Sequence, residues 1–177
     1  MKTGNLLLSA AALFVLLTGT ALAEPRNGFG LNAGLASHNR DCGGCIGSST
    51  TGLSIGLDYQ FALSNKFSIS PFLMTSGETS SNVSGIAVNH GIVGAELRYW
   101  VGDAFFGGHL GSYSEVFSSG GVSLTGNGGG AGLVAGWEKP DGGMYFMGQV
   151  DSATIRFSGF QDVKLAAFRL SMGYRWK

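Results

Sequence analysis

Along most of this chain apolar and polar residues alternate, and the last segment shows the alternation best. Ala166, Phe168, Leu170, Met172, Tyr174 and Trp176 take every second position, with Ala167, Arg169, Ser171, Gly173 and Arg175 between them. A period of two puts the first set on one face of a β-strand and the second on the other. In a water-soluble sandwich the large apolar face would point inward. Here the opposite face consists of small residues and arginines, which cannot fill a dry core. The pattern therefore predicts an inverted sheet, apolar toward lipid and polar toward a narrow interior.

The same reading gives eight strands. The first, about 28–38, sets Phe29, Leu31, Ala33 and Leu35 against Gly30, Asn32, Gly34 and Ala36; the second, about 50–61, sets Leu53, Ile55, Leu57, Tyr59 and Phe61 against Ser54, Gly56, Asp58 and Gln60. The third, 66–76, turns Phe67, Ile69 and Leu73 outward, with a bulge expected at Pro71, which lacks a ladder donor. The fourth, about 87–101, faces Val93, Ala95, Leu97, Tyr99 and Val101 outward and Ile92, Gly94, Glu96 and Arg98 inward. The fifth, 104–116, has Phe106, Gly108 and Leu110 outward and His109, Tyr113 and Glu115 inward. The sixth, about 125–138, shows Ala131, Leu133, Ala135 and Trp137 outward and Glu138 inward. The seventh, 144–157, is the least regular, with Met144, Phe146, Gly148 and Val150 outward and Gln149 and Asp151 inward. Together these predict an all-β fold, a closed eight-stranded antiparallel up-and-down transmembrane β-barrel.

The phase of the aromatics supports closure. In such a barrel the starts of odd strands and the ends of even strands share one membrane interface, where an aromatic girdle belongs. Phe29, Phe67, Phe106 and Phe146 open odd strands; Tyr59, Tyr99, Trp100, Trp137, Tyr174 and Trp176 lie at the ends of even ones. Connections at that interface read short (62–65, 102–103, 139–143), and those opposite read longer and rich in Ser, Gly and Asn (39–49, 77–85, 117–124, 158–162).

The amino terminus adds an address. Lys2, the apolar stretch Leu6–Leu17 and the Ala21-Leu22-Ala23 pattern predict a cleavable secretory signal peptide over 1–23, leaving one barrel domain over 24–177. No stretch of the remaining chain is apolar over the ~20 residues a spanning helix needs. Glycine numbers 31 and proline three, which suits many strands with tight turns better than helices. The formal net charge is zero, so nothing points to nucleic acid.

The expected interior network is Asp58, Glu96, Arg98, His109, Tyr113, Glu115, Glu138, Asp151, Arg169 and Arg175. Mixed charges away from bulk water must pair, and eight strands enclose only enough room for their own side chains. A plugged lumen is expected, with a narrow pore as the alternative. Cys42 and Cys45 fall in a loop, where export permits a disulfide; two free thiols are the other reading. Metal binding would need more ligands than these and His38, so neither metal nor cofactor is expected.

The chain resembles the small eight-stranded outer-membrane barrels of Gram-negative bacteria, the OmpA/OmpX-like group, in its signal peptide, strand count and terminal run Phe168, Leu170, Met172, Tyr174, Trp176. The resemblance implies an outer-membrane location, lipid contact, a monomer, and recognition by the barrel-assembly machinery through the terminal aromatic; here Lys177 follows Trp176. The expected role is a structural or surface protein without catalysis, with binding through the outer loops left open, including as an adhesin. A lipid A deacylase-like activity is the enzyme alternative. His38 and His90 sit near outer strand ends, but the strand that would carry a His-Ser-Asn run reads Asp151-Ser152-Ala153-Thr154.

Overall fold

A computed structural model describes residues 26–41, 49–80, 87–159 and 162–177. The predicted signal peptide and the pair Cys42 and Cys45 lie outside the described residues. Eight strands follow one another: β1 Gly28–Asp41, β2 Ser49–Ala62, β3 Phe67–Ser80, β4 Ala87–Val101, β5 Ala104–Ser119, β6 Val122–Glu138, β7 Gly143–Phe157 and β8 Val163–Trp176. Each pairs antiparallel with its neighbours in sequence, and β1 closes on β8 from Phe29↔Trp176 to Asp41↔Lys164. Closure leaves no free sheet edge along that seam, as hydrocarbon requires.

The two faces are inverted relative to a soluble protein. Leu53 and Leu110 are 72% and 71% exposed, whereas Arg98 and Arg169 are 2% and 1% exposed. All eight strands keep the predicted parity, so the apolar positions form one belt around the outside. Phe29, Tyr59, Tyr99, Phe106, Trp137, Phe146, Tyr174 and Trp176 are exposed and Phe67 is half-buried, near the rim that carries Arg26 and Lys177. Phe29 stacks beside Trp176 (5.9 Å between ring centres) and Phe67 beside Tyr99 (5.1 Å), each pair lying directly across a strand boundary.

Trp100 corrects the girdle expectation. It is 3% exposed and points into the barrel, where its indole N–H donates to Ser68 Oγ at 3.0 Å. Tyr99 and Trp100 are adjacent, and the pleat sends only one of two neighbours outward. The Pro71 bulge is also corrected. The β2–β3 ladder resumes at Phe61↔Ile69 in the register it held at Asp58↔Phe72, and the β3–β4 ladder runs through Pro71↔Ala95 unbroken. No residue is inserted; pairing to β2 lapses at Ser70 and Pro71, where the donor is missing.

The outer ends of the strands run further than expected. β1 continues to Asp41 and β3 to Ser80, and β5 and β6 meet in a tight turn at Gly120–Gly121 in place of the predicted loop over 117–124. Both turn glycines have positive φ (57° and 83°), the backbone a two-residue hairpin turn with the sheet's own twist demands.

The interior is not purely polar. Phe72, Met74, Ile92, Phe105, Val134, Tyr145, Met147, Ile155 and Leu165 pack together there with Trp100 and Tyr113. Inward glycines on the wall make room for them. A Cβ on Gly136 would lie 2.4 Å from the Phe105 ring, on Gly173 2.4 Å from the Tyr145 ring, and on Gly132 2.3 Å from His109. Rings packed against bare backbone let an eight-stranded wall hold large side chains inside.

Candidate functional site

The inward charged residues are the chemistry this fold carries, and they form two groups. The lower group lies at the end bearing Arg26 and Lys177. Arg175 on β8 donates through Nε to Glu138 Oε1 on β6 at 2.8 Å, and its Nη1 lies 2.8 Å from Asp58 Oδ2 on β2. Arg98 on β4 pairs with Glu96 on its own strand and donates to Gln60 Oε1 at 2.9 Å, with Asp58 and Glu138 each 3.8 Å away. The Tyr145 hydroxyl reaches Asp58 Oδ1 at 3.3 Å and accepts from Asn32 Nδ2 at 3.2 Å. Below them Arg26 lies 3.9 Å over the Trp100 ring and donates to the carbonyls of Glu138 (3.0 Å) and Gly102 (2.7 Å). Arg26 thereby ties the start of β1 to the β4–β5 turn and to the end of β6.

The upper group spans more strands. Asp151 on β7 receives Arg169 of β8 and lies 2.6 Å from His109 Nε2 and 3.2 Å from the Tyr113 hydroxyl, both on β5. Gln149 Nε2 donates to Asp151 Oδ1 at 3.0 Å. Nearer the outer end, Arg40 on β1 grips Glu115 of β5 through Nε (2.9 Å) and Nη2 (2.6 Å), and donates to Thr50 Oγ1 at 2.6 Å. Glu78 on β3 meets Thr50, His38 and, at 2.7 Å, the Ser76 hydroxyl. His90 on β4 faces Glu115 at 3.4 Å. The Phe117 ring, 5.6 Å from that of Phe157, lies 5.5 Å from the Arg40 guanidinium.

All ten side chains predicted for the interior lie there, each 6% exposed or less. Asp58, Glu96, Arg98, Glu138 and Arg175 fall in the lower group and His109, Tyr113, Glu115, Asp151 and Arg169 in the upper. His38, Arg40, Glu78 and His90 were missed as interior groups. The strand parity carried this information, since Arg40 is two residues beyond His38 and Glu78 two beyond Ser76. Arg40 and Glu78 fall in the stretches 39–49 and 77–85, whose serine- and glycine-rich composition reads as loop, whereas His38 and His90 lie within the predicted strands on the inward parity. Among the described residues no cluster of three or more His, Cys, Asp or Glu is arranged to hold a metal ion.

A closed barrel whose wall meets hydrocarbon and whose charges are paired within is an integral membrane protein, and the strand count places its fold among the small outer-membrane β-barrels. No protein-family model and no curated protein matches the sequence. Among solved structures, Ail, the attachment invasion locus protein of Yersinia pestis, aligns with a TM-score of 0.56 at 18% identity over 85% of this chain and 99% of its own; it has also been solved in complex with the heparin analogue sucrose octasulfate. Neisserial surface protein A aligns with a TM-score of 0.58 at 13% identity, over 84% and 97% of the two chains. The shared fold and the exposed apolar belt place this chain in an outer membrane.

Proposed function

We propose that this protein is a structural surface barrel of the outer membrane, closed to solutes at neutral pH and without catalysis, whose outer connections are the face open to a partner. The observation that carries the reading is the filling of the lumen. Arg98, Arg169 and Arg175 are all fully buried; Arg98 and Arg175 each reach a strand that is not their neighbour in the sheet, and Arg169 ties β8 to both of its neighbours, β7 and β1. Buried guanidiniums held this way resist removal, because each leaves several carboxylates uncompensated.

A deacylase-like centre finds no support in the side chains. A serine nucleophile needs an imidazole within hydrogen-bond reach. Ser152 faces outward, while His38 and His109 contact carboxylates and Arg169, and Ser76 donates to Glu78. The partner class is narrowed by charge. The outer connections 42–48, 81–86, 120–121 and 158–162 contain no Lys or Arg in their sequence, and the nearby Arg156 is matched by Asp162 at 3.4 Å. A polyanion such as the one Ail was solved with is therefore not the expected ligand of this chain.

Two measurements test the proposal together. In planar lipid bilayers at neutral pH the reconstituted barrel is expected to give no resolved current steps, and the lipid A mass spectrum of cells carrying it is expected to match that of cells without it. Porin-like steps contradict the closed lumen. A mass shift by one acyl chain contradicts the absence of catalysis.

A further inference from the structure

His38 is fully buried near the outer end of β1 and sits between partners of opposite character. Its Nδ1 faces a carboxylate oxygen of Glu78, and its Nε2 lies 2.9 Å from Arg169 Nη2. A guanidinium only donates and stays charged, so Nε2 must accept. That assigns the single ring proton to Nδ1, the atom beside the Glu78 carboxylate. A second proton would have to enter on Nε2, the atom that faces the guanidinium.

The surroundings decide what such a proton does. Facing His38 are His90 on β4, its ring 4.5 Å away; Glu115 and Tyr113 on β5; Asp151 on β7; Arg40 on β1 itself; and the Thr50 hydroxyl of β2, while β6 presents glycines. The upper group holds three carboxylates (Glu78, Glu115, Asp151), two guanidiniums (Arg40, Arg169) and all three histidines of the chain. With neutral imidazoles it is one positive charge short. A first proton fits on His90, whose ring nitrogens have no hydrogen-bond partner and whose Nδ1 faces Glu115. Any further proton makes the group net positive, and on His38 it meets both protonated His90 and Arg169.

We propose that His38 is a proton-operated latch: on acidification the His38–Arg169 contact breaks, β8 loses this tie to β1 and β3, and water enters the outer half of the lumen. The lower group contains no histidine, so Arg98 and Arg175 stay sealed. The latch is intact at neutral pH and is lost as the pH falls through the range in which buried imidazoles charge. It rests on the closed lumen proposed above.

Side-chain NMR of the full barrel in lipid nanodiscs reads this directly, by exchange of arginine Nε–H with water at about pH 7.5 and about pH 4.5. Guanidinium exchange is base-catalysed and slows in proportion to hydroxide on chemical grounds, so the readout is the Arg169 rate divided by the Arg98 rate at the same pH, in which that slowing cancels. At neutral pH both Arg169 and Arg98 are expected to exchange slowly. In acid the ratio of the Arg169 rate to the Arg98 rate is expected to rise roughly tenfold, the scale of losing the Nη2 hydrogen bond to His38. The variant His38→Gln keeps an acceptor for Arg169 and a donor for Glu78 but cannot titrate, so its Arg169 should stay slow at both pH values. Fast exchange of Arg169 at neutral pH contradicts the closed lumen and the latch with it. An Arg169 to Arg98 rate ratio that is the same at both pH values in the unaltered protein contradicts the latch alone, as does a rise of that ratio in acid that persists in His38→Gln. Should that variant not fold, the His38 ring nitrogen shifts decide: they must report an Nδ1–H neutral imidazole at neutral pH that charges together with the Arg169 release, and charging at a different pH overturns the proposal.

Discussion

Replacing Arg98 with leucine is expected to destabilise the barrel by about 3–5 kcal/mol, the range measured when one partner of a buried ion pair is removed. Arg98 stands among Glu96, Asp58 and Glu138, and its guanidinium lies 4.7 Å from the Phe105 ring. Without it, three inward carboxylates share the single cation of Arg175 in a region that water does not reach. The loss is electrostatic more than steric, since leucine fits where the arginine stem ran. The double variant Arg98→Leu with Glu96→Leu removes one of the stranded charges together with the cation and should regain a large part of the loss. Equilibrium urea unfolding in lipid vesicles measures both. A single variant within ~1 kcal/mol of the parent, the range of exposed ion pairs, contradicts the sealed network.

The second large effect concerns the outside. Leu170→Arg is expected to cost about 2–4 kcal/mol, the penalty for a cation on the lipid face at mid-bilayer. Leu170 lies at the middle of β8, 55% exposed, with Leu35 and Gly148 as its cross-strand neighbours. No acid is available there, whereas Arg169, one residue earlier and on the inner face, meets Asp151. In a water-soluble sheet the same exposed leucine would take arginine at almost no cost, usually within ±0.5 kcal/mol. The substitution therefore separates a lipid-facing surface from a water-facing one. The temperature at which the folded form, run on a gel after stepwise heating in detergent, gives way to the unfolded band reads the outcome without needing a reversible transition, and an unchanged temperature contradicts the lipid-facing assignment.

What the sequence made legible follows from the period of two. Wherever large apolar residues alternate with small or charged ones, as from Leu53 to Phe61 or Phe168 to Trp176, parity alone assigns the face, and the structure keeps it. Legibility fails where the outward residues stop being apolar. Beyond the predicted strand ends Asn39 and Gly77 point outward, so the alternation that sends Arg40 and Glu78 inward is hidden in residues that also make loops. Trp100 fails for a different reason: aromatic content at an interface was weighed above parity, although Tyr99 already held the outward position. Which acid meets which arginine was not legible at all. Asp58 reaches Arg175 because β2 and β8 both flank β1 in the closed cylinder, and that approach exists only once the barrel has closed.

The tryptophans allow the inverted arrangement to be tested most directly. Three variants, each retaining one of Trp100, Trp137 and Trp176 with the other two changed to phenylalanine, can be folded into vesicles of brominated phospholipid, which quenches indole fluorescence on contact. Trp137 and Trp176 are exposed and Trp100 is sealed inside against Arg26 and Ser68. Strong quenching of Trp137 and Trp176 with Trp100 left bright is the predicted result. Quenching of Trp100 with the other two protected would contradict it.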